Sequence, residues 1–236
     1  TLRDGSEPKK LDVTVTADET ADSLYRQIRT SGASEIALSP KNKEIAFVLH
    51  GDVYVTSIDY KTTKQITDTP EQERNVNFSP DGRSLVYASE RGGLWQIYQT
   101  SIVKKEEKQF TYATDLKEER LVKSDSVCLQ PAYSPDGKSV AYIESRGTLK
   151  AVDVKSRAVR KLMDGRFQYS YSDGDLWFRW SPDSRWLLSN YIGNGGWNNS
   201  DIALVPADGS QKITNLTNSG YNDGNARWVL GGKAMI

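Results

Sequence analysis

The chain has 236 residues with 31 basic and 31 acidic side chains, one histidine and one cysteine. Zero formal charge and a sequence pI near 6.6 exclude the basic excess by which nucleic-acid binders neutralise phosphates. Cys128 alone excludes an internal disulfide, His50 alone excludes a metal site built on several histidines, and no apolar run reaches the ~18 residues of a membrane helix or forms a signal-peptide core.

Six Trp and twelve Tyr against two Met favour sheet over helix. The first element is the alternating run Leu11–Thr16, a strand. From residue 31 the chain repeats itself. Ile36 and Leu38 lead into Ser39-Pro40, and the strands Ile45–Val48, Asp52–Asp59 and Lys64–Thr67 follow. Val76 and Phe78 lead into Ser79-Pro80, followed by Leu85–Ala88, Leu94–Ile102 and Arg120–Lys123. Tyr133 precedes Ser134-Pro135, then come Val140–Ile143, Leu149–Lys155 and Val159–Met163. Phe178 and Trp180 precede Ser181-Pro182, then Trp186–Leu188, Asp201–Pro206 and Lys212–Leu216. A degenerate fifth copy begins at Trp228–Gly232. The prolines are 40, 55 and 47 residues apart, and a fixed period of this kind marks a repeat architecture.

The repeated turn has a mechanical reading. Ser, Pro, Asp and Gly in Ser79–Gly82 and Ser134–Gly137 fill the four positions of a type I turn. Proline pre-sets its φ and glycine takes the positive φ that returns the next strand antiparallel. Asn42 replaces that glycine in the first copy and also tolerates the left-handed region. Ser184 replaces it in the fourth, which is expected to be the most strained turn. The continuous apolar runs after each turn suit strands buried on both faces. Four strands per repeat of about 47 residues is the blade of an all-β, antiparallel β-propeller. Residues 1–30 are expected to be the outer strand of a preceding blade and a linker. Residues 31–236 are expected to be blades centred on Pro40, Pro80, Pro135 and Pro182, with a partial one at Leu230. The array is expected to be partial or open, with an insertion in the second repeat at Lys104–Lys108 and Phe110–Leu116.

The repeat resembles the WD40-like propeller of TolB and of propeller-bearing peptidases. The combination is most similar to the propellers of bacterial tricorn-like serine peptidases. Ser31–Pro40, Gly51–Thr56, Thr69–Arg74, Phe78–Leu85, Tyr169–Asp175 and Gly231–Met235 carry this resemblance. It implies a non-catalytic module of a larger chain, with a flanking peptidase domain beyond Ile236. Such a module would guide or filter peptide substrate, or organise assembly.

Chemistry within the chain itself is sparse. A catalytic triad needs a nucleophile, a base and an orienting group. His50 ends a strand beside Gly51 with no Gly-x-Ser-x-Gly elbow elsewhere, so it reads as a loop residue. Cys128 reads as a small apolar filler. Asp173-Gly174-Asp175 and Asn222-Asp223-Gly224 carry oxygen ligands but lack the spacing of an EF-hand, so they read as turns. Gly193–Gly196, followed by Trp197 and Asn198, lacks the lysine and hydroxyl of a phosphate loop and reads as a hairpin. No catalytic residue, metal or cofactor is therefore expected.

One constellation is a candidate for binding. Six residues before the turn serine, or before its equivalent Val229, stand Glu73, Asp175 and Asp223. Arg74 follows Glu73. Two residues before the same point stand Asn77, Arg179 and Arg227. The strand before the turn should be innermost, which puts these residues on the channel or its rim, with Tyr221 on a loop leading to it. Acids, arginines and aromatics suit contact with a peptide; the alternative is salt bridging between blades. Three functions follow: a tricorn-like peptidase propeller, a TolB-like module docking a protein partner, or the propeller of a prolyl-oligopeptidase-type hydrolase. Self-association through exposed blade edges is a further expectation. The resemblance implies the periplasm or cell envelope, with the cytoplasm as the alternative.

Overall fold

The computed structural model describes residue 13 and residues 28–193 and 199–236. The expected strand Leu11–Thr16 lies outside the described residues except for Val13, and the expected hairpin at Gly193–Gly196 lies outside them except for Gly193. The chain divides into Thr1–Ser31 and Gly32–Ile236, and every described strand lies in the second unit.

That unit is all-β. The first sheet comprises β1 (Ala33–Leu38), β2 (Glu44–Leu49), β3 (Asp52–Ser57) and β4 (Thr63–Gln65). The second comprises β5 (Glu73–Phe78), β6 (Ser84–Ser89), β7 (Gln96–Ile102) and β8 (Leu116–Arg120). The third comprises β9 (Cys128–Tyr133), β10 (Ser139–Glu144), β11 (Thr148–Asp153) and β12 (Val159–Met163). The fourth comprises β13 (Phe178–Trp180), β14 (Trp186–Tyr191), β15 (Asp201–Pro206) and β16 (Thr214–Asn215). Each is a four-stranded antiparallel meander in chain order, like a propeller blade, and a hairpin of β17 (Trp228–Val229) and β18 (Ala234–Met235) follows.

The core lies between the sheets, which explains the continuous apolar runs. In β6, Leu85 and Tyr87 pack with Ala46, Val48, Val53 and Val55 of the first sheet. The alternate residues Val86 and Ala88 pack with Val140 and Tyr142 of the third. Period two thus sends successive side chains into two different cores, and each buried aliphatic side chain is worth about 1.5–3 kcal/mol. Ala141, Ile143 and Leu149 of the third sheet meet Leu187, Ala203 and Val205 of the fourth.

The fourth strand of the second sheet is Leu116–Arg120, upstream of the run Arg120–Lys123 that the sequence indicated. Leu121 and Val122 instead turn inward: both amides bond to the Ile97 carbonyl, and both side chains are buried between the second and third sheets. The insertion of the second repeat folds back on its neighbours. Buried Glu44 accepts the amides of Phe110 (3.1 Å) and Thr111 (2.8 Å), and Phe110 enters the first core. The Arg83 guanidinium donates to the carbonyls of Ile102 (2.9 Å), Lys104 (2.9 Å) and Glu107.

The repeated turn is built by its own side chains. Ser79 O accepts from Gly82 N (2.9 Å), closing the turn. Ser79 Oγ accepts from Ser84 N (2.9 Å) and donates to Asp81 (2.6 Å), which in turn accepts from Arg83 N (3.0 Å). The same set recurs at Ser134–Asp136 and Ser181–Asp183. Successive turns also touch. A Cβ on Gly82 would lie 3.6 Å from Pro40 Cδ, and one on Gly137 3.7 Å from Pro80 Cδ. Ser184, at φ 61, occupies the left-handed region that disfavours it, but its Oγ accepts from Asp136 N (3.0 Å) of the preceding turn. The expected strain is therefore accompanied by a contact that glycine could not make.

Candidate functional site

The first strands of the sheets are joined by a ladder of side chain to backbone hydrogen bonds. Glu35 of β1 accepts from the amides of Asn75 and Val76 in β5. Asn75 Oδ1 accepts from Gln130 N of β9 (3.0 Å). Gln130 then pairs with the Leu176 backbone just before β13, accepting from its amide (3.2 Å) and donating to its carbonyl (2.5 Å). Glu35, Asn75 and Gln130 each stand four residues before the turn serine. Asn75 and Gln130 have φ of 57° and 56°, at points where the strand register slips. The bulge turns an alternating side chain sideways, toward the next sheet.

Beside this ladder lies a cavity of about 390 Å³, walled by Glu35, Glu73, Arg74 and Asn75 on one side and by the Ser172–Asp175 loop on the other. Gly174 closes over the ladder: a Cβ there would sit 3.7 Å from Asn75 Oδ1 and 3.8 Å from Gln130 Cγ, and its φ of 106° requires glycine. Asp173 is held by Arg146 (2.7 Å). Asp175 accepts from Ser170 Oγ (2.5 Å) and Ser172 N (3.2 Å).

Of the residues singled out from sequence, Glu73, Arg74 and Asp175 line this cavity, whereas Arg179, Tyr221, Asp223 and Arg227 do not. Arg74 is exposed, with its guanidinium 5.1 Å from the centre of the Trp95 ring. Glu73 is 1% exposed. It accepts from Ser89 Oγ (2.8 Å), Thr67 Oγ1 (2.9 Å) and Thr69 Oγ1 (3.2 Å), while its amide donates to Gly51 O (2.7 Å) of the first sheet's hairpin. Burial pushes its carboxyl above the usual range, opposed by the Ser89 and Thr67 hydrogen bonds and by Arg91.

Asp223 repeats that arrangement. It accepts from Ser219 Oγ (2.7 Å), and its amide donates to Ser200 O (2.7 Å). Behind each acid stands the same second carboxylate. Asp52 accepts from Gln65 and Thr67, and Asp201 accepts from Asn215 and Thr217. Among the described residues, neither Arg179 nor Arg227 forms an ion pair; both are exposed, and Tyr221 is 78% exposed. His50 is exposed in the β2–β3 hairpin, and burial pushes the Cys128 thiol up to about 12.

The ladder residues Glu35, Asn75 and Gln130 escape a reading of the sequence, since no one residue type recurs. Their only signal is a polar side chain four residues before the first three turn serines, a position that Trp177 holds before the fourth.

No family model matches the chain. The Tol-Pal system protein TolB of Bordetella pertussis is 46% identical over 39 residues, 16% of this chain and 9% of that protein, and those of Bordetella parapertussis and Bordetella bronchiseptica match to the same extent. The matched stretch thus spans about 9% of the length of these curated relatives. Among solved structures, a putative TolB from Agrobacterium tumefaciens is similar with a TM-score of 0.60 and 22% identity, covering 82% of this chain and 65% of that one. TolB from Acinetobacter baumannii is similar with a TM-score of 0.54 and 20% identity, covering 78% of this chain and 43% of that one. These identities bear on fold alone. They support the TolB part of the sequence resemblance, whereas the tricorn-like part rests on sequence motifs only. The second unit of the chain has a TolB-like β-propeller fold.

Proposed function

We propose that this chain is a TolB-like interaction module, with residues 31–236 as its blades, and that it docks a protein partner at the cavity beside the ladder. The observation that carries this reading is the composition of that cavity. Its carboxylates at Glu35, Glu73 and Asp175 already hold intramolecular donors, while Arg74 presents an exposed guanidinium at the wall. An acidic side chain of a partner meets the exposed Arg74 guanidinium at that wall. Arg179, Tyr221, Asp223 and Arg227 belong to the same proposal as more distant rim contacts. The cell envelope is the compartment this reading favours, by likeness to the Tol-Pal proteins.

This reading gives Cys128 and His50 no chemical role, the thiol being buried and the histidine standing in a hairpin. The tricorn-like reading, a peptide filter beside a serine peptidase domain, rests on the sequence resemblance; a peptidase domain downstream in the full reading frame would favour it. The direct test is titration of a fluorescein-labelled, glutamate-rich peptide by anisotropy. Arg74→Glu is expected to weaken binding by about tenfold, roughly the 1.4 kcal/mol of one charge contact. The double variant Arg179→Ala, Arg227→Ala is expected to weaken it less. Equal affinity in all three folded proteins sinks the reading.

A further inference from the structure

The Glu73 junction contains one hydroxyl proton too few. Thr67 Oγ1 accepts from Val53 N (2.8 Å), and its single proton is claimed by two carboxylates, Asp52 Oδ1 at 3.1 Å and Glu73 Oε2 at 2.9 Å. With both acids ionised, one carboxylate oxygen faces the lone pairs of the Thr67 oxygen, and that unmet contact is buried. A proton on Glu73 Oε2 resolves the conflict. Glu73 then donates to Thr67, Thr67 donates to Asp52, and Glu73 Oε1 still accepts from Ser89 and Thr69. Asp52 is reached by water and by Gln65 Nε2 (3.2 Å), so the proton belongs on the buried partner.

The surrounding charges do not reverse this. Arg91, on the loop after β6, stands 3.7 Å from Glu73, but its guanidinium is engaged by Glu118 of β8 at 2.5 and 2.6 Å. Tyr87 of β6 donates to that same Glu118. Glu35 stands on the same wall and Asp173 and Asp175 across the cavity, with Arg74 the only cation among the described residues of the lining.

We propose that Glu73 is a proton-responsive joint between the first and second sheets: its carboxyl holds a proton toward Thr67 at pH values where exposed glutamates are ionised, and the joint loosens as that proton is lost. The burial that raises the Glu73 carboxyl above its ordinary 4.5 acts in the same direction. The sign follows from proton counting. Above 4.5 the unfolded chain has released this proton while the folded chain still holds it. Stability from this group is therefore complete below that value and falls as pH rises through the folded pKa.

Glu73→Gln tests it, because the amide Nε2 donates where the carboxyl O–H would and does so at every pH. Thermal melts of the two proteins from about pH 4 to pH 8 should show the variant ahead of wild type by about 2–4 °C at the alkaline end. The gap should close toward acid. A wild type that melts above the variant at neutral pH, or a gap that does not change with pH, overturns the proposal. Carboxyl carbon NMR of wild type labelled at glutamate needs no variant. There Glu73 should titrate above the exposed glutamates, and titration with them or below them overturns the proposal equally. Neither readout involves a docking partner, so failure here leaves the proposed docking untouched.

Discussion

Glu73 and Asp223 stand in two copies of one local design with opposite surroundings. Asp52, Gln65, Thr67, Thr69 and Glu73 recur as Asp201, Asn215, Thr217, Ser219 and Asp223, with amide contacts to Gly51 and Ser200 of the same length, 2.7 Å. At the first copy a full sheet stands behind the acid and supplies Ser89 and Arg91, and Glu73 is 1% exposed. At the second, only the hairpin β17–β18 follows among the described residues, and Asp223 is partly exposed. The staple is therefore a property of the local sequence, whereas the electrostatics of its acid belong to the sheet stacked against it. Buried, the same carboxylate must be matched donor by donor; in partial contact with water it need not be.

Removing each acid should expose that contrast most strongly. Glu73→Ala leaves the Thr69 and Ser89 hydroxyls without an acceptor and Thr67 with Asp52 alone, and is expected to cost about 2–4 kcal/mol in urea unfolding. Asp223→Ala should cost less than about 1 kcal/mol. Equal losses would break the comparison, showing that burial does not set the worth of the staple.

The turns of the two junctions provide a smaller test. A Cβ on Gly232 would lie 3.1 Å from Pro182 Cδ, closer than the 3.6 Å of Gly82 from Pro40. Both glycines have positive φ, 89° and 73°. Gly82→Ala is expected to cost about 1 kcal/mol from its backbone conformation, and Gly232→Ala about as much again for the tighter contact. The reverse order in thermal melts would mean that the last turn gives way more easily than the first.

The smallest effect concerns a single carboxylate. The Ser181 hydroxyl, with Arg185 beside it, holds Asp183 down to about 2. Its contribution is present above the ordinary 3.8 and is lost as pH falls through 2. Ser181→Ala should move the Asp183 NMR titration back toward 3.8 and, by also removing the acceptor of the Trp186 amide, lower the melting temperature modestly at neutral pH.

The blades were readable because their turn is chemically demanding. Only proline sets that φ, only a small hydroxyl both donates to Asp81 and accepts from Ser84, and the motif therefore returns almost unchanged. The apolar runs were equally plain, since Leu85 to Ala88 serve two cores at once. The outer strands were not. Leu121 and Val122 have the composition of a strand, but their burial lies between sheets rather than within one. Counting back from the turn finds Glu73, Asp175 and Asp223, yet what faces each depends on residues far away in the chain. The ladder was hidden for another reason: it depends on a bulge, and Asn75 and Gln130 share a backbone angle rather than a side-chain type.

Three of the turn prolines, Pro40, Pro80 and Pro182, lie beside a glycine of the next turn. Pro40 lies beside Gly82 and Pro80 beside Gly137 at nearly the same spacing, so repeats of unequal length carry their surplus away from the turns. The second repeat, the longest at 55 residues, carries it between β7 and β8, in the segment that Glu44 and Arg83 pin to the flank. Segments such as the one between β7 and β8 can therefore lengthen, shorten or accept a graft while the spacing of the turns is kept.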